Sequence, residues 1–154
     1  MANKTAKEHN EFFVSNLYSP VMFVIYDEKF AWPESIVKEF NVGMNHLQQN
    51  NIEAAHKSFV ECLKAFDAVE IFNNAALCLF MLGKYDVAIK AVHEKVQQLP
   101  KHGGLRYNLG TMFYMQNFFK VAASELEQVC SIDQANLHAK NNYAIACLKC
   151  FELD

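Results

Sequence analysis

Apolar residues recur along most of this chain at intervals of three and four, the spacing of one helix face rather than the alternation of a half-buried strand. Short polar clusters interrupt the pattern: "QQNN" ahead of Ile52, "GK" ahead of Tyr85 and "QN" ahead of Phe118. Breaks of this composition read as tight turns between helices. One apolar stretch, residues 72–83 with the sequence "FNNAALCLFMLG", carries Asn74 in its middle. Asn is a mediocre helix former because its amide competes for backbone hydrogen bonds, and a buried amide without partners is costly.

The pattern also repeats on a longer scale. Gly43, Ala76, Gly110 and Ala144 are separated by 33, 34 and 34 residues, and Ala55, Ala88 and Ala122 by 33 and 34. A bulky apolar residue (Phe59, Val92, Leu126) follows each of the latter three by four. A fixed period of this length marks stacked supersecondary units. Each unit reads as two amphipathic helices, A and B, joined by a tight turn. The small residues belong where A and B approach, since a bulky side chain there would part the backbones and disrupt the ridge packing. One hairpin cannot bury its apolar face, so units stack and the last one needs a cap. Leu137 to Phe151 has the phase of a fourth A helix with no B helix following. Its His138, Lys140, Asn142, Lys149 and Glu152 give the partly polar surface a cap requires. The expectation is an all-α helical hairpin solenoid of seven helices. Three hairpins occupy residues 36–68, 69–102 and 103–136, with a capping helix over 137–154. Residues 1–10 are expected as a flexible polar tail and 11–35 as an apolar N-terminal extension.

Composition narrows what such a chain can do. Its 154 residues suffice for one domain with a real core, and 52% hydrophobic, 20% charged, five Gly and three Pro suit a mostly helical protein. The net charge of −3, with scattered basic residues, argues against a nucleic-acid face, which needs a clustered basic stripe. No apolar run reaches the roughly 18 residues of a membrane span. The polar start "MANKTAKEHN" lacks the order of a signal peptide, so a cytoplasmic location is expected. Cys62, Cys78, Cys130, Cys147 and Cys150 all fall in apolar-periodic segments and read as reduced packing thiols. Cys147 and Cys150 match C-x-x-C, without the second ligand pair of a zinc site or the βαβ pattern of a thioredoxin-like one. The six His are dispersed, and no H-E-x-x-H, Walker loop, G-x-G-x-x-G or G-x-S-x-G occurs. No catalytic residue, metal site or cofactor is expected. Thiol-redox chemistry through Cys147 and Cys150 is the one enzymatic reading with a motif behind it.

The register resembles the tetratricopeptide repeat, whose period is about 34 residues. The second unit, "NNAALCLFMLGKYDVAIKAV" running on to Pro100, shows the Gly-x-Tyr-x-x-Ala turn and the closing proline of that family. The third is "YNLGTMFYMQNFFKVAASEL" and the first "FNVGMNHLQQNNIEAAHKSF". Departures are Glu39 and Arg106 where the family usually opens helix A with a large aromatic, and the missing proline of the third unit. All units carry Asn at one place of helix A: Asn41, Asn74, Asn108 and Asn142. The resemblance implies that this place faces a concave groove, where an amide offers one donor and one acceptor to a peptide backbone of any sequence. In the same register the groove would be lined by Phe40, Met44 and Leu47, by Asn73, Leu77, Phe80 and Met81, and by Tyr107, Thr111, Tyr114 and Met115. Such a Met- and aromatic-rich face suits an apolar or amphipathic partner segment. The alternative is that the chain itself covers part of it. The family's carboxylate clamp for acidic C-termini is not expected, because its matching positions hold Phe40, Met44, Gly104 and Asn108, and only Asn74 agrees.

The chain is also similar to the class II translocator chaperones of bacterial type III secretion. "AAHKSFVECLKAFD" and "CLFMLGKYDVAI" have the look of their first two repeats. That resemblance implies holding a hydrophobic secretion substrate soluble before export. The expected function is a non-enzymatic protein-interaction module, acting on a protein or peptide client. The alternative is a structural or self-associating scaffold subunit of a larger complex. Residues 11–32, "EFFVSNLYSPVMFVIYDEKFAW", hold the remaining apolar content. The run from Val21 to Tyr26 is too short to span a membrane and has strong β propensity, while Ser19-Pro20 could equally begin a helix. Left exposed, this run would promote aggregation. Three placements are open to it: on the first hairpin, in the groove, or in a homodimer contact.

Overall fold

The computed structural model describes residues 21–153. The expected tail over residues 1–10 and the extension up to Pro20 lie outside them. The described chain is all-α as expected, with seven helices: α1 Glu34–Gln48, α2 Ile52–Ala65, α3 Val69–Met81, α4 Tyr85–Gln98, α5 Gly103–Met115, α6 Phe119–Ile132 and α7 Leu137–Leu153. Ahead of α1, residues 21–27 form neither helix nor strand, Asp27 is extended, and a 3-10 turn covers Glu28–Phe30. Two compact units result, one spanning Met22–Leu99 and the other containing Pro100–Asp154.

The hairpin turns follow one design. Asn50, Gly83 and Asn117 sit at positive φ (57, 79 and 65°), spaced by the repeat period. Only Gly enters this left-handed region freely, and Asn tolerates it better than other residues. Each donates its N–H three residues back: to Leu47 at 2.9 Å, Phe80 at 3.0 Å and Tyr114 at 2.9 Å. The polar clusters in the sequence are thus the places where helix A can stop and reverse.

Helix crossings explain the small residues. A Cβ on Gly43 would lie 2.7 Å from Cε1 of Phe59, and one on Gly110 would lie 2.8 Å from Cγ of Leu126. Those separations are inside van der Waals contact, so α1 meets α2, and α5 meets α6, at a glycine. Ala55, Ala88 and Ala122 are fully buried on the B helices, as are Phe59, Val92 and Leu126. Arg106, standing where the repeat family has an aromatic, is buried too. Its guanidinium bonds the Glu125 carboxylate and the Pro100 carbonyl, so a charge pair within one unit fills the place of a ring.

Helix α7 corrects one expectation. Its Ala139, Asn142 and Ala146 face inward, but its outer surface is not simply polar. Leu137, Leu148, Phe151 and Leu153 stand exposed beside His138, Lys140 and Glu152. Ala144 is exposed although its equivalents Gly43, Ala76 and Gly110 are all buried. The reason is geometric: those three are covered by the B helix of their own hairpin, and among the described residues no helix packs on that side of α7.

Candidate peptide-binding site

Helix α3 is surrounded. Eight of its thirteen residues are buried, so an amide on it must find partners inside the fold or remain unsatisfied at a cost of about 1–3 kcal/mol. Asn74, fully buried, finds them on the segment ahead of α1. Its Oδ1 accepts from the Val24 N–H at 2.8 Å, and its Nδ2 donates to the Val24 carbonyl, also at 2.8 Å. The same Nδ2 lies 3.4 Å from the Met44 sulfur on α1. Asn73 donates to the Met22 carbonyl at 3.2 Å and to Asn74 Oδ1 at 3.1 Å. That last bond fixes which way the Asn74 amide is turned, because only its oxygen can accept.

Side chains along the segment divide between inside and outside. Phe23 and Tyr26 are half-buried against the core formed by α1, α2 and α3, while Ile25 is 72% exposed. Beyond Tyr26 the chain is pinned by rings. Trp32 lies 5.4 Å from Tyr26, 5.1 Å from Phe30 and 5.1 Å from Phe40, and Phe40 in turn lies 5.3 Å from Phe59. Edge-to-face and tilted pairs at these distances are favourable. The described part of the segment lays its rings on the first hairpin, one of the three placements open to it, and bonds its main chain to α3.

The residues read as groove lining separate accordingly. Phe40 is a correction: its ring is fully buried between Trp32 and Phe59, because that face of α1 meets α2. Leu77 is fully buried, and Phe80 is buried against Tyr85 at 4.9 Å. Met44 and Leu47 are half-buried against the same core as Phe23, and Met81 is exposed. In the other unit Tyr107, Asn108 and Thr111 are buried, Tyr114 is half-buried 5.1 Å from the Phe119 ring, and Met115 is exposed. Asn142 donates to the Tyr107 hydroxyl at 3.1 Å and lies 3.4 Å from Thr111 Oγ1. Asn41 is exposed. Equivalence in the repeat therefore does not give the amides one shared environment. What the sequence reading missed is Val24 and Met22 as main-chain partners, with Phe23 and Tyr26 as anchors. The β propensity of residues 21–26 was the available signal.

The remaining chemistry is quiet. Burial pushes the Cys62 thiol up to about 11 and the Cys78 thiol up to about 12, so neither forms a thiolate near neutrality. Cys130, Cys147 and Cys150 are free and half-buried. Among the described residues no group of three or more His, Cys, Asp or Glu converges to hold a metal ion. None of the described helices is long and apolar enough to cross a membrane.

No protein-family model matches the chain. Over 81 residues it is 36% identical to Trafficking protein particle complex subunit 12 of Homo sapiens and 37% identical to that of Mus musculus. The match covers 50% of this chain but only 11% and 10% of those proteins, so the chain spans about a tenth of the relatives it resembles. Among solved structures, a MamA RS-1 double mutant superposes with a TM-score of 0.67 at 20% identity, covering 79% of this chain and 68% of the other. PcrH from Pseudomonas aeruginosa gives 0.60 at 14% identity, covering 85% and 96%. These likenesses, with the hairpins described above, show a fold of the tetratricopeptide type.

Proposed function

We propose that this chain is a non-enzymatic protein-interaction module whose α3 amides hold an extended partner segment, and that it works as a subunit of a larger protein assembly. The observation that carries the reading is the bonding of Asn73 and Asn74 to the main chain of Met22 and Val24. An amide that pairs with both the N–H and the C=O of one residue recognises extended backbone rather than a particular side chain, as in other modes of extended-peptide recognition. The likeness to a subunit of a trafficking complex supports the assembly role, on the half of the chain it covers. The second reading, a cytoplasmic chaperone for a hydrophobic secretion substrate, rests on the resemblance of the first two repeats to the translocator chaperones.

The test is affinity capture from the native host with wild type and with Asn73→Ala/Asn74→Ala, followed by mass spectrometry. A defined set of co-purifying proteins that is lost in a folded double variant supports the module. Identical captures by both would overturn it. The identity of the captured set separates assembly subunits from an exported client.

A further inference from the structure

Residues 21–27 belong to no helix or sheet ladder, yet α3 grips their main chain through both the N–H and the C=O of one residue. We infer that residues 22–26 are an internal ligand: they occupy the α3 site in the register a partner segment takes, and a partner binds by displacing them. This deepens the function proposed above and rests on it.

The seated segment also states what the site selects. Counting from the residue held by Asn74, the site takes the main-chain N–H and C=O of that residue and the carbonyl two places earlier. It receives a ring one place earlier, Phe23, and a ring two places later, Tyr26, both packed against the core. Between them Ile25 projects outward, so that place is unselective. The partner chemistry is therefore an extended segment of the form aromatic, aliphatic, any, aromatic, bound by main chain and two rings.

Displacement follows from how the segment is held. Its two main-chain bonds to Asn74 are to a side chain, and any other extended residue reproduces both. An internal ligand lowers the fraction of chains competent to bind, and the apparent affinity for an external segment falls by the same factor. Opening the site should restore that affinity. Val24→Pro does this locally: proline fits extended backbone but has no N–H to give Asn74.

The experiment uses the full chain and a fluorescein-labelled peptide copying residues 21–29, read by fluorescence polarisation, with circular dichroism confirming that every variant is folded. Val24→Pro is expected to bind the peptide at least about tenfold more tightly than wild type, a gain set by the share of chains the native segment keeps closed. Val24→Pro/Asn74→Ala is expected to lose that gain. Peptides with Ala in place of Phe23 or Tyr26 should bind more weakly to Val24→Pro, and one with Lys in place of Ile25 should bind as the parent does. Equal binding by wild type and Val24→Pro, or a gain that survives Asn74→Ala, would overturn the inference. So would a wild-type dimer in light scattering that Val24→Pro converts to monomer, since the segment would then be a ligand for a second copy. A chain that captures its partners through Asn73 and Asn74 but fails this exchange keeps the proposed function and loses only the internal ligand.

Discussion

In the unit Met22–Leu99, Asn74 bonds the main chain of Val24; in the unit beyond Leu99, Asn142, at the equivalent place of its own helix, bonds the hydroxyls of Tyr107 and Thr111. Both amides are fully buried, and both are satisfied. The partners differ in kind. Two hydroxyls on α5 are fixed side chains of the same packed unit, so Asn142 ties α7 to α5. A main chain is the one partner every polypeptide carries, so on the proposed function Asn74 ties α3 to something exchangeable. The repeat supplies the position of the amide, and the neighbouring elements decide whether it bonds a fixed side chain or a main chain.

Substitutions can break or sharpen this contrast. The largest effects should fall on what the two units share, the hairpin crossing. Phe59→Ala should cost about 3–5 kcal/mol and Leu126→Ala about 2–5 kcal/mol in urea unfolding, because each fills the space opposite a glycine and leaves a cavity when truncated. If either cost less than Ile→Val changes usually do, the crossings would not be the core of the hairpins. The next effect separates the units. Asn142→Ala removes an amide that two buried hydroxyls share and should cost about 2 kcal/mol, while Asn74→Ala should cost nearer 1 kcal/mol, since the freed Val24 groups can turn to water. Equal costs would mean that the Val24 segment is as fixed as α5.

Thiol chemistry gives a third contrast. With the Cys78 thiol raised to about 12 and the Cys62 thiol to about 11 by burial, Ellman's reagent at pH 8 should find Cys130, Cys147 and Cys150 first. Cys62 and Cys78 should react only after denaturant is added. Fast reaction of all five would contradict a closed core in the Met22–Leu99 unit. The smallest effect concerns pH. His56 is held below its ordinary value of 6.5 by burial and by the Lys84 charge. The unfolded chain therefore takes up this proton first. Its contribution to stability is present above about pH 6.5 and is lost as pH falls through the lower folded value. His56→Gln should flatten the decline in melting temperature below that pH, and an unchanged slope would assign the decline to other groups.

Much of this was legible in the sequence because repeats are read against themselves. The 33- and 34-residue spacings of Gly43, Ala76 and Gly110 predicted the crossings, and the clusters around Asn50, Gly83 and Asn117 predicted the turns. The fold class followed from those two facts. The site was less legible, because register assigns a residue to a helix face but not to a partner. Phe40 looked like lining and is core, since Trp32 arrives from outside the repeat and closes over it. Asn74 was expected to face a partner's backbone, and nothing in the period revealed that it bonds the main chain of Val24 in its own chain. Likewise α7 has the phase of an A helix, but its polar residues alone did not reveal that Leu148 and Phe151 remain exposed.

The most direct measurement is native-state hydrogen exchange of the Val24 amide, compared between wild type and Asn74→Ala at a pH where both are fully folded. The account predicts protection of Val24 in wild type, from its 2.8 Å bond to Asn74, and near-complete loss of that protection in the variant while α1 and α3 amides exchange as before. Val24 exchanging freely in wild type, or staying protected without the Asn74 amide, would contradict it.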